Sequence, residues 1–114
     1  MSDCLFCKMA SGEISPDNLY EDDDVLAFGD INPQEPSHFL VIPKRHISTL
    51  NELEEGDAEL VGKMTLAANK VAAELGEAEA GFRTVMNCNA AGGQTVFHIH
   101  MHVLAGRNLS WPPG

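Results

Sequence analysis

Between Val96 and Leu104 the chain places His98, His100 and His102 at every second position, with Ile99, Met101 and Val103 interleaved. Successive side chains of an extended strand point to opposite faces. The spacing therefore predicts one strand over this run, with three imidazoles on one face and Phe97, Ile99, Met101 and Val103 turned toward a core. Imidazole acts as nucleophile, acid, base or metal ligand near neutral pH. A strand rises about 3.3 Å per residue, which sets His98 and His102 roughly 13 Å apart along the backbone. One metal cannot comfortably take all three rings, and the pattern predicts a division of labour among them.

Immediately upstream stands Gly92-Gly93-Gln94-Thr95. Two glycines let backbone approach a ligand closely, and the Gln94 amide and Thr95 hydroxyl are groups that bond phosphate or leaving-group oxygens. Joined to the histidines, the turn suggests an oxyanion-binding site, although it is not a P-loop. Cys4 and Cys7 form a C-x-x-C pair, which alone is compatible with redox chemistry, zinc or neither. With Cys88 the cysteines are odd in number. The N-terminus carries no basic and apolar signal-like region, so a disulfide framework is not expected, and thiols or metal ligands remain.

These residues need elements to position them. Leu5, Phe6 and Met9 fall at helical spacing between Cys4 and Ser11, predicting a short N-terminal helix that stops at Gly12. Leu19-Tyr20 and Val25-Leu26-Ala27-Phe28, separated by the acidic run Glu21 to Asp24, read as a hairpin. Asp30 to Pro36 is a loop, and His38-Phe39-Leu40-Val41-Ile42 is a strand ended by Pro43. A long helix is predicted from about Asp57 to Leu75, with Leu60, Met64, Ala67, Ala68, Val71 and Leu75 on one face and Gly76 at its C-terminal end. Phe82 to Asn87 reads as a further strand, and Ala90-Ala91-Gly92-Gly93 as the turn into the histidine strand. Strands flanking one main helix predict an α+β fold with an antiparallel sheet.

At 114 residues, 44% hydrophobic and 21% charged, the chain is expected to be one soluble domain spanning 1–114. A formal charge of -10 with only seven scattered Lys and Arg excludes broad nucleic-acid binding. No apolar run approaches the roughly 20 residues that span a bilayer. No membrane partner is expected, and the cytoplasm is the expected location.

The run His98-Ile99-His100-Met101-His102-Val103-Leu104 resembles the full motif of the histidine triad (HIT) superfamily, three histidines alternating with apolar residues. Similarity to its Hint branch, the histidine triad nucleotide-binding proteins and nucleoside phosphoramidases, extends through Phe28-Gly29-Asp30-Ile31, Pro36 to Lys44, Gly92 to Thr95 and Trp111-Pro112-Pro113-Gly114. The resemblance implies a HIT-like fold of about five antiparallel strands, and a two-fold homodimer with a joined sheet. In that dimer residues 105–114 form a tail reaching the partner's site.

It further implies a hydrolase that cleaves the P–N bond of nucleoside 5′-phosphoramidates, binding purine nucleoside monophosphates. His100 matches the nucleophile, which forms a nucleotidyl-histidine intermediate, while His102 and His38 match residues that stabilise phosphate charge. Thr95 retains a hydroxyl able to help protonate the departing amine. Asn87 matches a phosphate-side amide and Asp30 the carboxylate on the ribose hydroxyls. Ile31, Phe28 and Phe6 would form an apolar slot for the base, with Gly93, Gln94 and Trp111 as further nucleotide contacts. Relatives with the N-terminal cysteine pair imply a structural Zn²⁺ on Cys4, Cys7, His46 and His98, not required for the chemistry itself. Cys88 is expected simply to pack. Two alternatives are a dinucleoside polyphosphate hydrolase, disfavoured by the Trp-Pro-Pro ending, and a zinc-stabilised nucleotide-binding or scaffold module with incidental hydrolysis.

Overall fold

Two strands of the chain are apolar almost without interruption, and the reason is a sheet covered on both faces. The computed structural model describes residues 3–114. A short helix α1 (Leu5–Ala10) leads into β1 (Asn18–Glu21), β2 (Val25–Gly29) and β3 (Ser37–Pro43). Two single 3₁₀ turns precede the long helix α2 (Ala58–Glu74), after which come β4 (Arg83–Val85), the one-turn helix α3 (Asn89–Gly92) and β5 (Met101–Ala105). The five strands form one antiparallel sheet in the order β1-β2-β3-β5-β4. The α+β architecture is the expected one.

Alternate residues of β2 and β3 serve two separate cores. Val25, Ala27, Phe39 and Val41, with Met101 and Val103 of β5, pack under Met64, Ala67, Ala68 and Val71 of α2. Leu26, Phe28, Leu40 and Ile42 face the other way and meet Phe6 of α1. Each buried side chain of this size contributes roughly 1.5–3 kcal/mol, and neither face could be left to water. The α2 stripe follows the expected helical period. Its end does not, because Leu75 is exposed. Gly76 at φ +80 closes α2 with paired bonds, Gly76 N–H to the Ala73 carbonyl and Glu77 N–H to the Ala72 carbonyl, the pattern of a Schellman stop.

Four expectations are corrected. The histidine strand starts at Met101, not Val96, because the β3–β5 ladder runs out at Val41↔Met101. Pro43 has no N–H to extend the ladder, and its carbonyl accepts a proton from the His98 ring at 2.8 Å instead. Residues 96–98 therefore bend away from the sheet. Phe97 is turned out to solvent at 49% exposure rather than into the core. The strand expected over Phe82–Asn87 narrows to Arg83–Val85, and the Ala90–Gly93 turn is α3, ended by Gly93 at φ +84. Among the described residues, no helix is long and apolar enough to cross a membrane.

Candidate active site and metal centre

While Ile99, Met101 and Val103 take the α2 side, the three motif histidines line the Phe6 side together, as the alternation predicts. They divide between two clusters joined at His100. His98 is fully buried and packs its ring against His46, centroids 5.1 Å apart, and against Phe6 at 5.8 Å. His102 lies on inner strand β5 opposite Leu40 and packs against His38 of β3 at 5.2 Å. The His100 ring stands between them, 5.0 Å from His102 and 5.1 Å from the edge-on ring of Phe6.

The ring protons follow from the hydrogen-bond partners. Nδ1 of His100 lies 2.8 Å from the His98 carbonyl, so it bears the proton and donates, and in the neutral ring Nε2 keeps a bare lone pair. His98 is the opposite tautomer. Its Nε2–H donates to the Pro43 carbonyl, leaving Nδ1 as the lone pair. On the other side, the Gln34 backbone N–H donates to His38 Nδ1 at 2.9 Å, which puts the His38 proton on Nε2. That proton faces His102 Nδ1 at 3.0 Å and Asp30 Oδ2 at 3.3 Å. His102 Nδ1 is thus the acceptor, and in the neutral ring the proton sits on Nε2. Burial, and then the neighbouring His100 and His38, push His102 down to about 4, so it stays an uncharged donor at neutral pH. Burial also lowers His98, with the Pro43 bond opposing.

Cys4, Cys7, His46 and His98 bring four ligand atoms within 4.8 Å of one another, and the set could hold a metal ion. His98 Nδ1 stands 3.3 Å from Cys4 Sγ, 3.5 Å from Cys7 Sγ and 3.2 Å from His46 Nδ1, and Cys7 Sγ is 3.2 Å from His46 Nδ1. A tetrahedral site with metal–sulfur bonds of 2.3 Å and metal–nitrogen bonds of 2.0–2.1 Å has ligand–ligand edges of roughly 3.3–3.8 Å. The spacing fits, and so does the tautomer, because the buried His98 ring already aims a lone pair at the centre.

Asp30, His38 and His102 also converge. Here the tautomer argues against a metal: an ion on His38 Nε2 would drive the proton to Nδ1, which the Gln34 N–H already occupies. This second cluster is a hydrogen-bond relay.

The remaining expected site residues are scattered in their surroundings. Phe6 and Phe28 are buried and pack edge to face at 5.6 Å, while Ile31 is 97% exposed on the loop after β2. Asp30 gives Oδ1 to the Asn32 N–H. Asn87 follows β4 and lies beneath Gly92. Thr95 is exposed ahead of the bend, and Trp111 is exposed in a tail that Arg83 ties to β4 through the Ser110 carbonyl at 2.9 Å. Gln94 is bonded to the backbone around it. Its side-chain oxygen accepts from Asn89 N–H at 2.8 Å, and its amide donates to the Ser48 and Val96 carbonyls at 2.8 and 3.0 Å. All of that amide is spent holding the loop.

Sequence reasoning missed three groups that set the tautomers: the Gln34 N–H, the Pro43 carbonyl and the Ser48 hydroxyl, 3.3 Å from His46 Nε2. The first two are backbone atoms, which no residue type announces.

A five-stranded antiparallel sheet with a histidine-bearing inner strand and one long helix across it places the chain in the α+β class. The HIT domain model matches residues 11–109, and the chain belongs to the HIT family. It is 49% identical over 112 residues to an uncharacterized HIT-like protein of Synechococcus elongatus, covering 98% of this chain and 97% of that one. The crystal structure of a HIT family hydrolase from Legionella pneumophila superposes with a TM-score of 0.96 at 50% identity, covering 98% of this chain and all of its own. A histidine triad protein from Clostridium difficile gives 0.93 at 45% identity, with 96% of each chain covered.

Proposed function

We propose that the protein is a nucleotide-binding hydrolase that cleaves the P–N bond of nucleoside 5′-phosphoramidates, of the adenosine 5′-monophosphoramidate type. The observation that carries this reading is the bare Nε2 of His100, held by its Nδ1–H on the His98 carbonyl and flanked by the proton-bearing His102. A nucleophile with one nitrogen anchored and the other free, beside an uncharged donor, is what in-line attack on phosphorus needs. The likeness to the Legionella HIT family hydrolase supports hydrolysis.

In the first step His100 Nε2 bonds to the α-phosphorus, the P–N bond breaks and the amine leaves with a proton, to which the Thr95 hydroxyl contributes. In the second, water adds to phosphorus and the His100 bond breaks, returning the ring and releasing the nucleoside monophosphate. His102 Nε2–H donates to the phosphoryl oxygens in both, and His38 fixes its direction. Asp30 accepts from the ribose hydroxyls, Asn87 and the Gly93 backbone border the phosphate, and Phe6, Phe28 and Ile31 meet a purine.

The tetrahedral donor set is that of a structural Zn²⁺, which on binding would supply fold stability and anchor His98. Exposed Ile31, Phe97 and Trp111, together with β4 at the open sheet edge, support a homodimer in which the tail approaches the partner's site. The test is His100→Ala assayed with adenosine and guanosine phosphoramidates and with dinucleoside polyphosphates. Turnover of phosphoramidate should vanish with nucleotide binding retained. Persistent turnover in that variant overturns the reading, and preference for polyphosphates replaces it with the other hydrolase class.

A further inference from the structure

His98 does two jobs with two different atoms. Its ring offers Nδ1 to the four-residue cluster, and its carbonyl holds the Nδ1–H of His100 at 2.8 Å. A second link runs through Phe6, which sits between Cys4 and Cys7 in the chain. Phe6 is 4% exposed and places its ring edge-on to both His100 and His98. Whatever moves the two cysteines therefore acts on the nucleophile's ring from both sides.

The cysteines are placed to be moved. Cys4 caps α1, with Sγ accepting from the Cys7 N–H at 3.3 Å, and both sulfurs belong to a set within 4.8 Å. A disulfide needs about 2.05 Å between sulfurs, and a C-x-x-C at the start of a helix closes that distance with little backbone movement. One flank of the cluster is open: His46 is exposed, and its contact with Cys7 lies at the surface.

We propose that Cys4 and Cys7 are a peroxide-responsive thiol switch on His100, their oxidation to a disulfide expelling the metal and freeing His98 and Phe6. The proposal rests on the metal and nucleophile readings above. In the step itself, the Cys7 thiolate attacks one oxygen of hydrogen peroxide, giving a sulfenic acid and hydroxide. The Cys4 thiolate then displaces hydroxide from that sulfur and the S–S bond forms. Two protons from solvent turn the two hydroxides into water. The divalent ion keeps its charge and leaves, because two imidazoles alone hold it weakly. A thiol reductant reverses the oxidation, and added Zn²⁺ refills the site.

The experiment uses the full chain reconstituted with Zn²⁺, as the wild type and as Cys88→Ala to remove the third thiol. Hydrogen peroxide is added, and four quantities are followed: zinc captured by a chromogenic chelator, mass of the peptide carrying Cys4 and Cys7, the ¹⁵N–¹H signal of His100 Nδ1, and kcat/KM on an adenosine phosphoramidate. The expected result is zinc release in step with a two-hydrogen mass loss on that peptide. The His100 signal should shift, kcat/KM should fall roughly tenfold or more, and reductant with Zn²⁺ should restore all four. A disulfide that leaves the His100 signal and kcat/KM unchanged overturns the proposal. So does sulfinic acid in place of a disulfide, or wholesale unfolding seen by circular dichroism. If zinc binds but peroxide forms no disulfide, the switch alone fails. If the reconstituted chain binds no zinc, the metal reading fails and takes the switch with it.

Discussion

The His98 carbonyl accepts the Nδ1 proton of His100 at 2.8 Å, while the His98 ring turns its own Nδ1 toward two cysteines and a third histidine. One residue therefore joins the metal-ligand cluster to the ring that would attack phosphorus. The join depends on the bend at 96–98, since in a regular strand the carbonyl of His98 would be committed to a neighbouring strand. The Pro43 carbonyl holds that bend by taking the His98 Nε2–H.

Acid should weaken the fold through His102. Its ordinary value of 6.5 is lowered to about 4 in the folded chain, first by burial. Above the unfolded value both states are neutral and nothing is lost. As pH falls from 6.5 toward 4 the unfolded chain takes up a proton that the folded chain refuses, and stability drops by up to about 3 kcal/mol. Urea titrations at pH 7.5 and pH 5 should show a lower midpoint at pH 5, and His102→Asn should remove part of that difference. An equal drop in the variant refutes the assignment.

The histidine periodicity made the core residues Ile99, Met101 and Val103 legible, and the apolar stripe of α2 was legible to its last turn. What the period of two could not show is where a strand stops. That is decided by Pro43, two positions beyond Val41 on the partner strand, whose missing N–H leaves the ladder to end at Val41↔Met101. The division of labour between His98 and His102 was legible, whereas the backbone partners that fix their tautomers were not. Uninterrupted burial of Val25 to Phe28 likewise hides which residues face α2 and which face Phe6, and only the register with β3 sorts them. The exposure of Ile31 depends on a loop whose path no propensity sets.

Gln94 should prove structural. It is 6% exposed with its oxygen on Asn89 N–H and its amide on two carbonyls. Gln94→Ala leaves those groups unpaired and should cost about 2–4 kcal/mol. Gln94→Glu should be worse, because a carboxylate oxygen would then face the Ser48 and Val96 carbonyls with no proton between them. Thermal unfolding of the two variants should rank them in that order, and a Glu variant as stable as wild type would contradict the hydrogen-bond assignment.

Gly106 ends β5 at φ +103, and a Cβ there would stand 2.6 Å from Pro36 Cβ and 3.3 Å from the Ser37 nitrogen. Pro36 closes the loop that carries Asp30, and Ser37 opens β3. Gly106→Ala is therefore strained in both backbone and contact, at a cost of about 2–3 kcal/mol. Gly62, which has open space around it inside α2, is the control: Gly62→Ala should stabilise by about 0.5–1 kcal/mol. Parallel denaturation curves shifting the same way would count against this account.

His38 and His102 should behave as one unit in catalysis. On the proposed reading His38 acts toward phosphate through the proton it presents to His102 Nδ1 at 3.0 Å, a proton held on Nε2 by the Gln34 N–H. Removing either ring breaks the relay: His38→Ala lets His102 turn, and His102→Ala removes the donor itself. Each single variant should lower kcat/KM on an adenosine phosphoramidate by roughly tenfold to a thousandfold. His102→Ala should be the more severe, and adding His38→Ala to it should cost little more, giving a coupling of about 1–3 kcal/mol. If the two losses simply multiply, His38 acts on the substrate independently, and the relay built from Gln34 through His38 to His102 is not the path by which it does so.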